Sequence, residues 1–75
     1  MTHRKVIGEN IRTLRLAKGW TQEKLARQTK LTSGYLSTVE LGQENISVDN
    51  LAKIARALKT TLTELVKEIP EDKTR

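Results

Sequence analysis

Apolar residues at Ile7, Ile11 and Leu14 recur at helical spacing, and the pattern stops at Gly19. The chain therefore opens with a helix over about residues 4–18, closed by a glycine free to take the left-handed conformation. Thr21 then offers a capping hydroxyl, with Gln22 and Glu23 in the first turn and Leu25 and Ala26 as an inward face; this second helix ends near Thr29. Thr32 is the next cap, Leu36 and Val39 follow three residues apart, and Gly42 ends a third helix over about residues 33–41.

The polar stretch GQENIS leads to Ser47, a cap with Asp49 in the first turn of a fourth helix, whose inward stripe is Leu51, Ile54, Ala55 and Leu58. Thr61 and Glu64 have the spacing of a capping box, and Leu62, Leu65, Val66 and Ile69 give a fifth helix an apolar face before Pro70 halts it. No segment alternates with a strand's period of two. The expectation is an all-α bundle of five short helices, one domain over residues 1–69 with a charged tail at 70–75.

Charge sharpens this picture. The net charge is +5, but residues 1–30 carry eight Lys and Arg against two Glu (+6), whereas residues 31–75 carry six against seven acids (−1). A local basic excess attracts polyanions through counterion release, although it also serves solubility. No Lys or Arg lies between Leu31 and Ala52, so the third helix presents hydroxyls, a glycine and one tyrosine. With no Cys and a lone His3, neither a metal site nor a histidine-based catalytic dyad can be assembled, so no cofactor and no enzymatic activity are expected. No apolar run approaches a membrane span, and MTHRKVIGEN lacks the apolar stretch of a secretory signal; a cytoplasmic protein is expected.

The second and third helices, joined by a tight turn, have the layout of a helix-turn-helix. Ala26 permits a close crossing, Leu36 and Val39 anchor the third helix, and Ser33, Gly34, Ser37 and Thr38 are left facing outward. Such a helix can lay its first turns against base edges in the major groove. On the stretches IRTLRLAKGWTQEKLA, YLSTVELG and NLAKIARALKTTLTEL, over about residues 7–66, the chain resembles the phage-repressor and Cro-like (Xre-type) helix-turn-helix family, with a lambda-repressor-like domain. Within it, the short controller proteins of restriction-modification systems are especially similar, including the ELGQENISV loop and a fifth helix that pairs subunits.

The resemblance implies roles for individual positions. Gln22 would hydrogen-bond a backbone phosphate at the positive end of its helix, and Ser33, Gly34, Ser37 and Thr38 would meet bases. Tyr35, Gln43 and Asn45 would contact phosphates or sugars. Arg15 and Glu40 match an ion pair that links the first helix to the third. Lys30 stands where the family usually has Gly in the turn, at a cost on the order of 1 kcal/mol if φ there is positive.

Other readings stay open beside these. Arg12, Lys18 and Lys24 are either phosphate contacts or a solvated face. Trp20 suits a lid on the core better than a stacking platform. Tyr35 fits interface and packing equally. On the fifth helix, Leu62 and Leu65 suit the core, while Val66 and Ile69 would be covered by a self-complementary dimer or by the first helix; Leu62, Leu65, Val66 and Ile69 are together the candidate dimer interface. Such a dimer would set two third helices about 34 Å apart, one turn of DNA.

The expected function is a sequence-specific, double-stranded-DNA-binding transcription regulator, a homodimeric repressor or self-regulating controller acting on inverted-repeat half-sites without a small-molecule effector. The alternatives are an antitoxin-type operon repressor that also binds a protein toxin, and an adaptor that docks proteins on its helix-turn-helix surface.

Overall fold

The computed structural model describes residues 3–68 and contains five α-helices: α1 His3–Ala17, α2 Gln22–Thr29, α3 Ser33–Glu40, α4 Val48–Leu58 and α5 Leu62–Val66. There is no strand among the described residues. Four helices start on a hydroxyl residue in extended conformation whose oxygen accepts an amide hydrogen three residues on. These bonds are Lys24 N–H to Thr21, Tyr35 N–H to Thr32, Asn50 N–H to Ser47 and Glu64 N–H to Thr61, at 3.0, 3.0, 3.1 and 3.1 Å. Each satisfies one donor that a helix start leaves open.

The far ends of α1 to α4 also share one device. A residue with positive φ turns the chain, and the amide after it donates back to the carbonyl five residues earlier: Trp20 to Arg15, Leu31 to Ala26, Gln43 to Thr38 and Thr60 to Ala55. Glycine fills two of the turning positions, Gly19 (φ 72°) and Gly42 (φ 77°). Lysine fills the other two, Lys30 (φ 61°) and Lys59 (φ 57°). The left-handed backbone at Lys30 is thus present without the glycine that would relieve it.

Every helix gives the core one side chain with no exposed surface: Ile11, Leu25, Leu36, Ile54 and Leu65. Ile7, Leu14, Trp20, Leu31, Tyr35 and Ile46 close its rim, so Trp20 does form a lid. Because α1 packs on α3 and α5 while α2 packs on α3 and α4, α3 is held on two sides and leaves its third to solvent. Gly8 lets α1 come this near. A Cβ built there would run into the Val39 carbonyl oxygen and stand 2.7 Å from that of Glu40.

Two expectations for α5 are corrected. Its helical turns end at Val66, with Lys67 extended (φ −75°, ψ 131°), before proline can act. At this end Asn10 of α1, a buried amide, caps the open carbonyls: its Nδ2 donates to those of Leu65 and Lys67 at 2.8 Å each, with Glu64 O at 3.4 Å. Leu62 is 38% exposed and so sits at the edge of the core, not in it. Ile69, Pro70 and the tail at 70–75 lie outside the described residues.

Candidate nucleic-acid interface

The outward side of α3 begins with Ser33, half-buried, and Gly34, exposed. A Cβ built on Gly34 meets nothing within 4 Å, so no contact inside the protein requires glycine there. Ser37 and Thr38 are half-buried one turn later. The Thr38 hydroxyl donates to the Tyr35 carbonyl at 2.7 Å and lies 3.5 Å from Glu44 Oε1, so toward a ligand it is an acceptor and a methyl group. Ser33 and Ser37 make no side-chain hydrogen bond among the described residues and can each donate or accept. The one ionisable carboxylate of α3, on Glu40, is buried on the opposite side.

That carboxylate fixes α3 in place. Arg15 Nε and Nη2 donate to Glu40 Oε2 and Oε1 at 2.7 and 2.9 Å, and Arg15 Nη1 donates to the Trp20 carbonyl at 2.8 Å. Gln22 Nε2 joins at 3.1 Å from Glu40 Oε1. The guanidinium pKa is raised, first by the hydrogen bond to Glu40, with burial pulling the other way and the fields of Glu40 and Glu23 adding to the rise. The guanidinium therefore stays charged, and its planar fork sets α3 at one angle to α1. Gln22 spends one amide hydrogen on Glu40; the other, at the positive end of α2, is left for an outside acceptor.

The remaining positions flank α3. Tyr35 lies against the core rim, and its hydroxyl accepts from Asn50 Nδ2 at 3.1 Å, which ties α3 to α4 and leaves the phenolic hydrogen free to donate. Gln43 and Asn45 are exposed in the loop between α3 and α4. Lys18 and Lys24 each set an ammonium 5.3 Å from the centre of the Trp20 ring, which steadies both charges beside the start of α2. Arg12 is exposed on α1. Of the α5 residues, Leu65 is enclosed by its own protomer and offers no surface to another; Leu62 and Val66, 38% and 46% exposed, remain available.

Sequence reasoning missed several residues that build this arrangement. Gly8 and Asn10 carry a signal in hindsight, a glycine inside an amphipathic helix and an amide beside its apolar stripe. Asn50 carries none, because its partner is set by how α4 crosses α3.

Among the described residues no helix is long and apolar enough to cross a membrane, and no group of three or more His, Cys, Asp or Glu is placed to hold a metal ion.

A helix-turn-helix family model, HTH_3, matches residues 11–65. The chain is 43% identical over 63 residues, 84% of its length, to a hypothetical transcription factor of Neisseria meningitidis, and spans 59% of that protein. It is 39% identical over 99% of its length to the HTH-type transcriptional regulator y4dJ of Sinorhizobium fredii, covering 94% of that protein. Its structure superposes on the restriction-modification controller protein C.AhdI from Aeromonas hydrophila with a TM-score of 0.80 and 42% identity, covering 83% of this chain and 94% of that one.

Proposed function

The chain belongs to the HTH_3 helix-turn-helix family, and from that premise we propose that it is a transcription regulator that binds double-stranded DNA by laying α3 in the major groove as a homodimer. The observation that carries this reading is the outer face of α3. It is uncharged, made of Ser33, Gly34, Ser37 and Thr38, open above Gly34, and held by an ion pair buried behind it. Small hydroxyl residues and a bare glycine suit close approach of the helix to base edges, with the second hydrogen of the Gln22 amide, the phenol of Tyr35 and the ammonium groups of Lys18 and Lys24 directed to phosphates.

None of the four base-facing residues offers the bidentate pairing that makes arginine selective for guanine, so each contact discriminates weakly. Specificity then draws on DNA shape and on the spacing between two half-sites. The exposed pair Leu62 and Val66, one turn apart on α5, supports the dimer as a self-complementary patch. Similarity to the S. fredii transcriptional regulator and the A. hydrophila restriction-modification controller protein supports regulation of transcription, with a controller as its specific form.

Selection of bound duplexes from a random pool of about 30 base pairs, run at two salt concentrations, tests the reading. An inverted repeat with half-site centres about one helical turn apart is expected. Binding without enrichment, lost uniformly as salt rises, would leave only non-specific attraction; a protein-docking adaptor would show neither enrichment nor salt dependence.

A further inference from the structure

The two lysines in left-handed conformation lie on one groove. Lys30 at the end of α2 and Lys59 at the end of α4 are the only non-glycine residues with positive φ among the described residues. Together with Gln28, Lys53, Arg56 and Ala57 they line an open concavity of about 460 Å³ between the two helices. It holds four cations and no acid. All four side chains are exposed, and none forms an ion pair or a side-chain hydrogen bond among the described residues.

A basic residue at a helix C-terminus complements the negative end of the helix, which accounts for one lysine at each end. It does not account for Lys53, in the middle of α4, nor for Arg56 one turn on, which crowd further like charges onto the same face. Nor does it explain lysine where glycine would relieve the backbone at both turns. Left-handed backbone and a concentration of like charge coincide at one place, as they do at sites organised for a ligand.

The groove uses none of the residues on the outward face of α3, although Lys30 precedes Ser33 by only three residues. The starts of α2 and α4 adjoin α3, through Gln22 to Glu40 and Asn50 to Tyr35, whereas the groove runs from Lys53 in the middle of α4 to the last turns of both helices. Ala57 is the one apolar side chain in the lining, so the aromatic or aliphatic anchors of a protein interface are missing. Ammonium groups on flexible stems act as point charges for phosphate oxygens.

We propose that the groove at the joined C-terminal ends of α2 and α4 binds a small ligand bearing linked phosphates, such as a nucleoside triphosphate or a short inorganic polyphosphate. A chain of phosphates spans several of these cations at once, which a single phosphate cannot do. The site uses none of the residues assigned to base contact and gives the protein a place to receive a soluble signal.

Amide spectra of the full chain titrated with inorganic tripolyphosphate test this. Saturable shifts are expected at Lys30, Leu31, Lys59 and Thr60, and the double variant K30G/K59G, which suits the left-handed turns, is expected to bind at least about tenfold more weakly. The variant K53Q/R56Q leaves both helix ends intact and is expected to weaken binding similarly. A parallel titration with adenosine triphosphate separates the sources. Equal affinity assigns the site to the phosphate chain, and tighter binding assigns it to a nucleotide. Shifts confined to α3, unchanged affinity in both variants, or equal binding of a hexaglutamate peptide would overturn the proposal.

Discussion

Arg15 and Glu40, 25 residues apart in sequence, meet through two parallel hydrogen bonds of 2.7 and 2.9 Å with side chains only 9% and 3% exposed. The pair joins the last turn of α1 to the last residue of α3, so the angle of the outward face depends on it. A buried ion pair is weak evidence of net stability, since desolvation offsets much of the attraction. Its value here is orientation.

Losing one partner differs from losing both. Glu40→Ala leaves the guanidinium buried without its counter-charge and is expected to lower the unfolding free energy by about 3–5 kcal/mol, measured by urea unfolding. Because the Arg15 pKa is raised, its contribution is complete at any pH below the ordinary arginine range and is lost only as pH climbs through the folded value. Arg15 therefore makes no pH dependence of its own near neutrality. Stability unchanged in Glu40→Ala would remove the pair from its orienting role.

Asn10 gives a second prediction. Asn10→Ala leaves the carbonyls of Leu65 and Lys67 without their donor and is expected to cost about 1–3 kcal/mol. Amide hydrogen exchange should show protection falling more in α5 than in α2 or α3. Equal loss across all helices would mean that Asn10 supports the core as a whole and does not specifically hold α5.

The four turning positions should respond oppositely to substitution. Lys30→Gly removes a left-handed lysine and is expected to stabilise by about 1 kcal/mol, whereas Gly42→Ala is expected to destabilise by more, its Cβ standing 2.9 Å from Lys5 Cγ at φ 77°. Thermal melts of the two variants decide it. Destabilisation by Lys30→Gly would show that the lysine side chain stabilises the end of α2 by more than its backbone conformation costs.

The helices and their starts were readable because capping hydroxyls and apolar periodicity are local signals. Thr21, Thr32, Ser47 and Thr61 each cap the helix that their position announces. Long-range relations were less so. The meeting of Arg15 with Glu40 followed from family resemblance, and nothing in the spacing of these residues alone would pair them. Proline is the visible punctuation for α5, but the helix ends at Val66, where an amide 55 residues away from Leu65 takes up its last carbonyls. The spacing of Leu65 suits the core while the resemblance suits a contact between subunits, and the packing of α1 and α4 on α5 decides for the core. Gln22 and Thr38 were legible as polar positions, but that each already spends a hydrogen inside the protein was not.

The outward face of α3 makes a prediction in which stability and function move in opposite directions. Gly34 sits inside a helix with open space above it, so Gly34→Ala is expected to raise stability by about 0.5–1 kcal/mol. The added methyl then stands where base edges would approach. Measuring urea stability and affinity for the selected duplex on the same variant is the most direct test of α3 as the DNA-reading helix. A more stable protein with affinity reduced at least about tenfold, or about 1.4 kcal/mol, is the predicted result. A more stable protein that binds the duplex as tightly as the wild type would contradict it.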